Sequence, residues 1–428
     1  MNKKNIVIFI AIFLVIFAFN YFKPINLDII WNYGFSLNYS KGLLLYKDFN
    51  MVITPLYPIL IGGIMHIFGN NMLVFYLINS VFATLIIYIV YKINNKILFP
   101  FCLVILLTSE PNYDLISTIC LFLLIYLEKN QKNDYLIGFI IGLAFLTKSS
   151  VGVFLILPTL YYLKDFNKVL KRALGFFLPN IIIILYFLII GNLYDYINYA
   201  FLGLFNFADG NKTFNLITII SMLIVIFFIY RFRKEKNIEI LYIIAFQIVV
   251  YPLFNISHFI ESLIPVAYYV LTKYDSFAKY YKYSLALLVV PIAFLIYNYF
   301  INDCQYTNYP FNSKAIQREY IDDIKELNEY FDNNYDHVHF IMYEAYLYTI
   351  MLNKDIEIYN LPLKGNLGYN GEQEFIKKLE NLPDGDIIVT SAVFQKGQSS
   401  KLIYDYITNN YQQEGQFRKY KVYRVYKK

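Results

Sequence analysis

Residues 5–22 are apolar almost without interruption, and runs of the same kind recur at 59–91, 97–108, 115–127, 135–147, 151–163, 173–190, 214–230, 238–254, 259–272 and 284–300. Runs of this length and apolarity predict membrane-spanning helices. The run at 59–91 has room for a short element and a full span. Several others fall short of the ~20 residues that a straight crossing needs. Residues 97–127 and 135–163 therefore read as two tight hairpins, with tips at Ser109-Glu-Pro-Asn-Tyr-Asp114 and Thr147-Lys-Ser-Ser150 dipping below the outer surface. Non-helical backbone at that depth is tolerated where it is buried in protein or lines a wet cavity, and polar tips favour the cavity.

The polar segments between the runs form two classes. Lys3/Lys4, Lys92/Lys96, Lys129/Lys132, Lys164/Lys168/Lys171/Arg172, Arg231/Arg233/Lys234/Lys236 and Lys273/Lys279/Lys282 are basic; the alternate segments at 23–58, 109–114, 147–150, 191–213 and 255–258 hold few cations. The positive-inside rule puts the basic set in the cytoplasm. About eleven crossings satisfy this alternation, with the N-terminus inside and the C-terminus outside. The start, Met1-Asn-Lys-Lys-Asn5 followed by apolar residues 6–19, resembles a secretory signal, but it runs into Asn20-Tyr-Phe22 with no small-x-small cleavage site. It reads as a retained first helix.

After about residue 301 the pattern changes. Residues 316–331 carry Ile316, Tyr320, Ile324, Leu327 and Phe331 on one stripe, as an amphipathic helix does. Short strands are predicted at 339–342, 357–359, 386–390 and 419–426, alternating with helical stretches at 344–352, 372–382 and 399–410. Such alternation predicts a small α/β domain. The chain thus divides into a polytopic α-helical membrane core, 1–300, and an extracytoplasmic α/β domain, 301–428. No Gly-rich nucleotide loop follows any of these strands. His337 and His339 share one strand face with no obvious third ligand, and read as a surface pair.

Composition agrees. Of 428 residues 58% are hydrophobic and 16% charged, with a mean hydropathy of +0.45, against about 25% charged in a soluble domain. The 44 Tyr and 39 Phe, with abundant Asn, Ile and Lys, point to an AT-rich coding bias, so most aromatics read as core or lipid contacts. The net charge of +6 lies in short inter-helix segments and not on one face, which argues against a nucleic-acid partner. Cys102, Cys120 and Cys304 form neither a paired framework nor a metal spacing.

The candidate chemistry lies in the outward segments. The polar-aromatic segment 23–58 carries Asp28 a few residues past the first helix, where it reads as a helix or turn cap or as a functional carboxylate. Asp48, in Tyr46-Lys-Asp-Phe49, reads as part of a structural turn with a local ion pair or as a second acid of the site. Glu110 and Asp114 flank Pro111 at a hairpin tip, as solvated acids or as groups facing a cavity. Lys148 stands between two apolar half-helices on the outward side, against the positive-inside trend. Such a lysine either snorkels or, with Ser149, Ser150 and a helix N-terminus, meets an anion. His258, with Glu261 nearby, sits at another outward tip.

Asp28, then Gly42 followed by Tyr46-Lys-Asp-Phe49, then Thr54-Pro-Leu-Tyr57, resembles the first outer loop of C-superfamily membrane glycosyltransferases. The nearest branch is the protein mannosyltransferase-like and aminoarabinose transferase-like enzymes. Gly138 to Lys148 followed by Leu157-Pro158, and Tyr251-Pro252 with His258 and Pro265, are similar to further stretches of that group. The chain departs from it at Ile29, where many relatives carry a second acid, at Lys47, where Arg is usual, and in lacking outward Arg residues.

The resemblance implies transfer of a sugar from a polyisoprenyl-phosphate carrier to a lipid, glycan or protein hydroxyl at the outer face, in cell-envelope glycan or glycolipid assembly. Asp28 would be the base, Lys148 and His258 would bind the donor phosphate, and Asp48, Glu110, Asp114 and Tyr57 would bind the acceptor or support the site, Tyr57 by stacking on a sugar. Oxygen ligands would suit Mg²⁺ or Mn²⁺ between Asp28 and the 109–114 segment, but no ligand set is assigned. A flippase of lipid-linked glycans and a membrane scaffold with a soluble binding domain are the alternatives. The first predicts inverted repeats and mid-span charges, and neither is evident.

Overall fold

The computed structural model describes residues 3–206, 215–251, 255–273, 293, 296–297, 304–307, 314–332, 334–352, 362–395 and 399–426. The apolar runs that lie within the described residues fold as helices. In chain order these are α1 (Lys3–Phe22), α2 (Leu27–Ser40), α3 (Leu56–Phe68), α4 (Met72–Ile93), α5 (Leu98–Thr108), α6 (Asp114–Lys129), α7 (Asp134–Thr147) and α8 (Ser149–Ile156). Then come α9 (Phe166–Ile189), α10 (Leu193–Ile197), α11 (Leu216–Glu235), α12 (Ile238–Phe246) and α13 (Ile256–Lys273). Among the described residues α1, α4, α9 and α11 are long and apolar enough to cross a membrane. The run at 284–300 lies almost wholly outside the described residues, as does Pro252.

Glycines set the closest packing. A Cβ on Gly138 would fall 1.9 Å from the Arg172 carbonyl oxygen, one on Gly142 2.6 Å from that of Phe176, and one on Gly175 2.1 Å from that of Tyr135. Gly138 and Gly142, four apart, let α7 run parallel to α9 with backbones in contact, as small residues do between membrane helices. The chain reverses at Lys148, whose extended backbone (φ −149°, ψ 106°) ends α7 and opens α8. Gly152 permits the return, since a Cβ there would meet Phe145 Cα at 2.2 Å. At the opposite ends of α6, α7 and α9, buried Arg172 joins Glu128 (2.7 Å) and Asp134 (2.8 Å), and Tyr242 and Tyr162 also donate to Glu128.

Segment 23–58, read from sequence as a loop, contains a regular helix, α2. Its polar residues bond within the helix: Asn32 Nδ2 donates to the Asp28 carbonyl (2.8 Å) and Ser36 Oγ to that of Asn32 (2.9 Å). An apolar-run criterion passes over such a helix because Asn and Ser fill buried positions.

The C-terminal part adds β1 (Cys304–Thr307), β2 (Lys314–Gln317), α14 (Arg318–Phe331), β3 (Val338–Phe340), α15 (Ala345–Met351), α16 (Gly371–Glu380), β4 (Ile387–Ser391), α17 (Lys401–Asn410), β5 (Gln412–Phe417) and β6 (Tyr420–Arg424). β1 and β2 pair antiparallel. The main sheet has the order β3-β4-β6-β5, with β3 and β4 parallel and the rest antiparallel. Strand alternation sends Val389 and Val422 to a core with Leu327 and Phe331, and Ile388 and Tyr423 to another with Phe375, Leu379 and Ile403. Helices therefore cover both faces, as the α/β pattern predicts. The strand expected at 357–359 lies outside the described residues. The histidine pair is not wholly at the surface: His339 is buried, with Nε2 2.8 Å from Asp386, while exposed His337 reaches the same carboxylate at 3.0 Å.

The two parts share one core, for Ile316, Tyr346, Leu347 and Ile350 pack into the apolar cluster of the helical bundle. The platform is α2: Tyr346 lies against Gly34 and Phe35, and Trp31 meets Tyr343 edge to face at 4.7 Å. Asn50 donates to the Asn366 carbonyl (3.0 Å), and Asn198 accepts from Tyr369 N–H (2.9 Å).

Candidate active site

Asn26 caps α2 by accepting the Ile29 N–H at 2.9 Å, which places Asp28 in the first turn. Negative charge is favoured there by the helix dipole. The Asp28 carboxyl is half-buried and, among the described residues, has no hydrogen-bond or ion-pair partner. Burial raises its pKa, His258 and Lys148 pull it back, and Glu110 and Asp114 push it up. Five of the seven residues singled out from the sequence thus come within electrostatic range of one another, although they lie on four separate segments.

Glu110 is an anchor. Its carboxylate takes Lys23 Nζ at 2.8 Å, Asn26 Nδ2 at 3.2 Å and Ser257 Oγ at 3.4 Å. Burial alone would raise its pKa, but Lys23 and these hydrogen bonds hold it below the usual value. It ties the hairpin tip to the residue that caps α2, and so fixes where Asp28 stands.

Asp114 begins α6 and is buried. Lys148 Nζ approaches its two oxygens at 3.2 and 3.3 Å, donates to the Val249 carbonyl at 3.1 Å, and lies 5.1 Å from the Tyr113 ring centre. A lysine held by acid, carbonyl and ring is a fixed charge, not a snorkelling one. His258 Nδ1 lies 3.4 Å from Asp114 and 3.2 Å from Glu261, and Asn112 Nδ2 donates to Glu261 at 2.6 Å.

Asp114, His258 and Glu261 each offer a ligand atom, all within 4.8 Å of one another. A set with one imidazole suits Mn²⁺ or Zn²⁺ better than Mg²⁺. Asp28 is not in it, so a metal here would sit beside the carboxylate and not on it. Lys148 already supplies positive charge at Asp114, and a metal would compete with that ammonium.

Two sequence candidates stand elsewhere. Asp48 is exposed, and its Oδ2 accepts the Leu44 N–H at 2.7 Å, closing its own turn. Within that turn Tyr46 adopts a positive φ (66°), buries its ring against Phe187, Tyr196 and Tyr199, and donates to the Ile53 carbonyl at 2.8 Å. Tyr57 is fully buried, donating to Asn79 Oδ1 at 3.0 Å, so its ring presents no face on which a sugar could stack. Sequence reasoning gave no role to Lys23, Asn112 or Tyr343. Lys23 and Asn112 adjoin segments already singled out, but Tyr343 reaches Asp28 electrostatically from a distant part of the chain, and nothing in its local sequence marks it. No protein-family model matches this chain, and neither does any curated protein or solved structure.

Proposed function

We propose that the chain is a multi-pass membrane glycosyltransferase resembling the C superfamily, with about eleven crossings, the N-terminus cytoplasmic and residues 301–428 outside. It moves a sugar from a polyisoprenyl phosphate to an acceptor hydroxyl at the outer face. The observation that carries this reading is Asp28, a half-buried carboxylate at a helix N-terminus that has no partner among the described residues and stands amid Lys148, His258, Asp114 and Glu110. A structural acid would have a partner. A general base needs its lone pairs open and a pKa lifted toward the working pH.

In the reaction Asp28 takes the proton of the acceptor hydroxyl as that oxygen bonds to the anomeric carbon. The bond from that carbon to the phosphate oxygen breaks, and both electrons leave with the lipid phosphate. Lys148 and His258 offset the developing negative charge, and fixed charges in a dry site do this at little reorganisation cost. Asp114 and Glu261 hold these two cations in place, and Glu110 holds the Asp28 helix. Tyr343 and Trp31 bring the outer domain over the site and limit water, which would otherwise compete as acceptor.

The test is sugar release from a panel of radiolabelled polyprenyl-phosphate sugars by the purified full chain in lipid. Turnover of one donor is the expected result. Failure of well-folded protein to turn over any donor, with lipid translocation instead, would replace the transferase with a flippase.

A further inference from the structure

Beside Glu110 a cavity of about 340 Å³ opens between the ends of α1 and α5, the start of α13 and the β1–β2 hairpin. Its size falls in the ~300–1,000 Å³ range of small-molecule sites. Its polar wall consists of Lys23, Asn26, Glu110 and Ser257, with Cys304 and Gln317 contributed by the outer domain. Pro24, Ile25, Leu107, Ile256 and Ile260 make the apolar part of the lining, and the Thr108 hydroxyl beside them donates to the Val104 carbonyl. Leu107 and Ile256, which flank it, are 41% and 62% exposed, at the level where α5 ends and α13 begins. The cavity thus has a hydrogen-bonding end and a greasy side.

The charges of the wall decide what it can hold. Lys23 is paired with Glu110 at 2.8 Å, and the same carboxylate collects hydrogen bonds from Asn26 and Ser257. Among the described residues Lys23 is the one cation of the lining, and an anion entering the cavity would meet the Glu110 carboxylate beside it. Hydroxyl groups face no such conflict, since each can donate to Glu110 and accept from Lys23, Asn26 or Ser257. Asn26 also caps the helical turn that carries Asp28, so the cavity wall and the base belong to one structural unit.

We infer that this cavity binds an uncharged, hydroxyl-rich headgroup on an apolar chain, a glycolipid-type amphiphile, at a site beside the proposed catalytic cluster and separate from it.

The chamber carries its own reporter, because Cys304 lines it. Purified full chain in lipid nanodiscs is treated with N-ethylmaleimide, alone or with octyl glucoside or an octyl phosphocholine. Labelling is followed peptide by peptide at Cys304 and, in a second protein, at the thiol introduced by Gln317→Cys, an exposed position in the same lining. Buried Cys120 serves as the internal control. Octyl glucoside is expected to slow labelling at both positions saturably and severalfold, and the phosphocholine to do so much less. Equal or better protection by the zwitterionic phosphocholine, which has no hydroxyl donors, overturns the hydroxyl-headgroup assignment, and no protection by either overturns the site. Sugar transfer is not needed for this readout, so a failed chamber and a failed transferase give different results.

Discussion

Lys148 Nζ lies 3.2 Å from Asp114 Oδ2, so the tips of two short-helix hairpins are joined by a buried ion pair. Breaking such a pair from one side strands a charge and costs about 3–5 kcal/mol. Lys148→Met is therefore expected to lower the melting temperature strongly, while Lys148→Met with Asp114→Asn recovers much of the loss without recovering transfer. Thermal unfolding of the four proteins of this cycle measures the coupling; additive losses would mean that the pair does not act as a unit.

The pH profile should report Asp28. A base works as carboxylate, so kcat/KM should fall as pH drops through a pKa lifted above the ordinary 3.8. Glu110 raises that pKa and Lys148 lowers it. Glu110→Gln should accordingly move the acid limb to lower pH and Lys148→Met to higher pH. Limbs that stay fixed, or move the same way in both variants, would assign the titration to another group.

The same carboxylate should be a burden on the fold. Its folded-state pKa is raised, so at any pH above the unfolded value ionised Asp28 disfavours folding. Asp28→Asn keeps the Asn32 hydrogen bond to the residue 28 carbonyl and removes the desolvated charge. Its melting temperature is expected to equal or exceed that of the wild type at neutral pH; a clear drop would reveal a structural partner for Asp28.

Asp48 and Tyr57 should behave as structure. Tyr57→Phe leaves Asn79 Oδ1 without its donor in the core, at about 1–3 kcal/mol. Asp48→Asn weakens an exposed turn bond to Leu44, at about 1 kcal/mol or less. Chemical denaturation reads both, with donor KM and kcat expected to stay at wild-type values.

The seating of the C-terminal part should depend on Gly34. A Cβ there would fall 2.5 Å from Tyr346 Cδ1, on a ring that is fully buried. Gly34→Val is expected to loosen the seating of the C-terminal part on α2, seen as faster limited proteolysis of that part. Unchanged proteolysis would mean that the Asn50–Asn366 and Asn198–Tyr369 contacts suffice to hold it.

Much of this molecule is legible in its sequence, and the exceptions have physical causes. The helices over 72–93 and 134–147 can be read because long apolar runs admit few alternatives, whereas the helix Phe166–Ile189 begins within the basic segment that precedes the run at 173–190. α2 escapes that reading because polar Asn32 and Ser36 fill buried positions, with Asn32 Nδ2 and Ser36 Oγ donating to the helix's own carbonyls. β5, Gln412–Phe417, escapes because an exposed edge strand need not alternate. In the site, Asp28, Lys148 and His258 stand out as titratable groups in short polar segments between apolar runs. Glu261 lies one turn into α13 among apolar neighbours, where its role is set by Asn112 and His258 arriving from other segments. Asp48 and Tyr57 carry suitable chemistry in a suitable segment, and only the fold separates them from the cluster.

The central claim is that Asp28 is the base of a sugar transfer. Its most direct test is the rate of sugar transfer from the accepted polyprenyl-phosphate donor by wild type and by Asp28→Asn, each checked for folding. The expected result is a fall of about 10²–10⁴-fold in a variant at least as stable as the wild type. Wild-type turnover in Asp28→Asn would contradict the account.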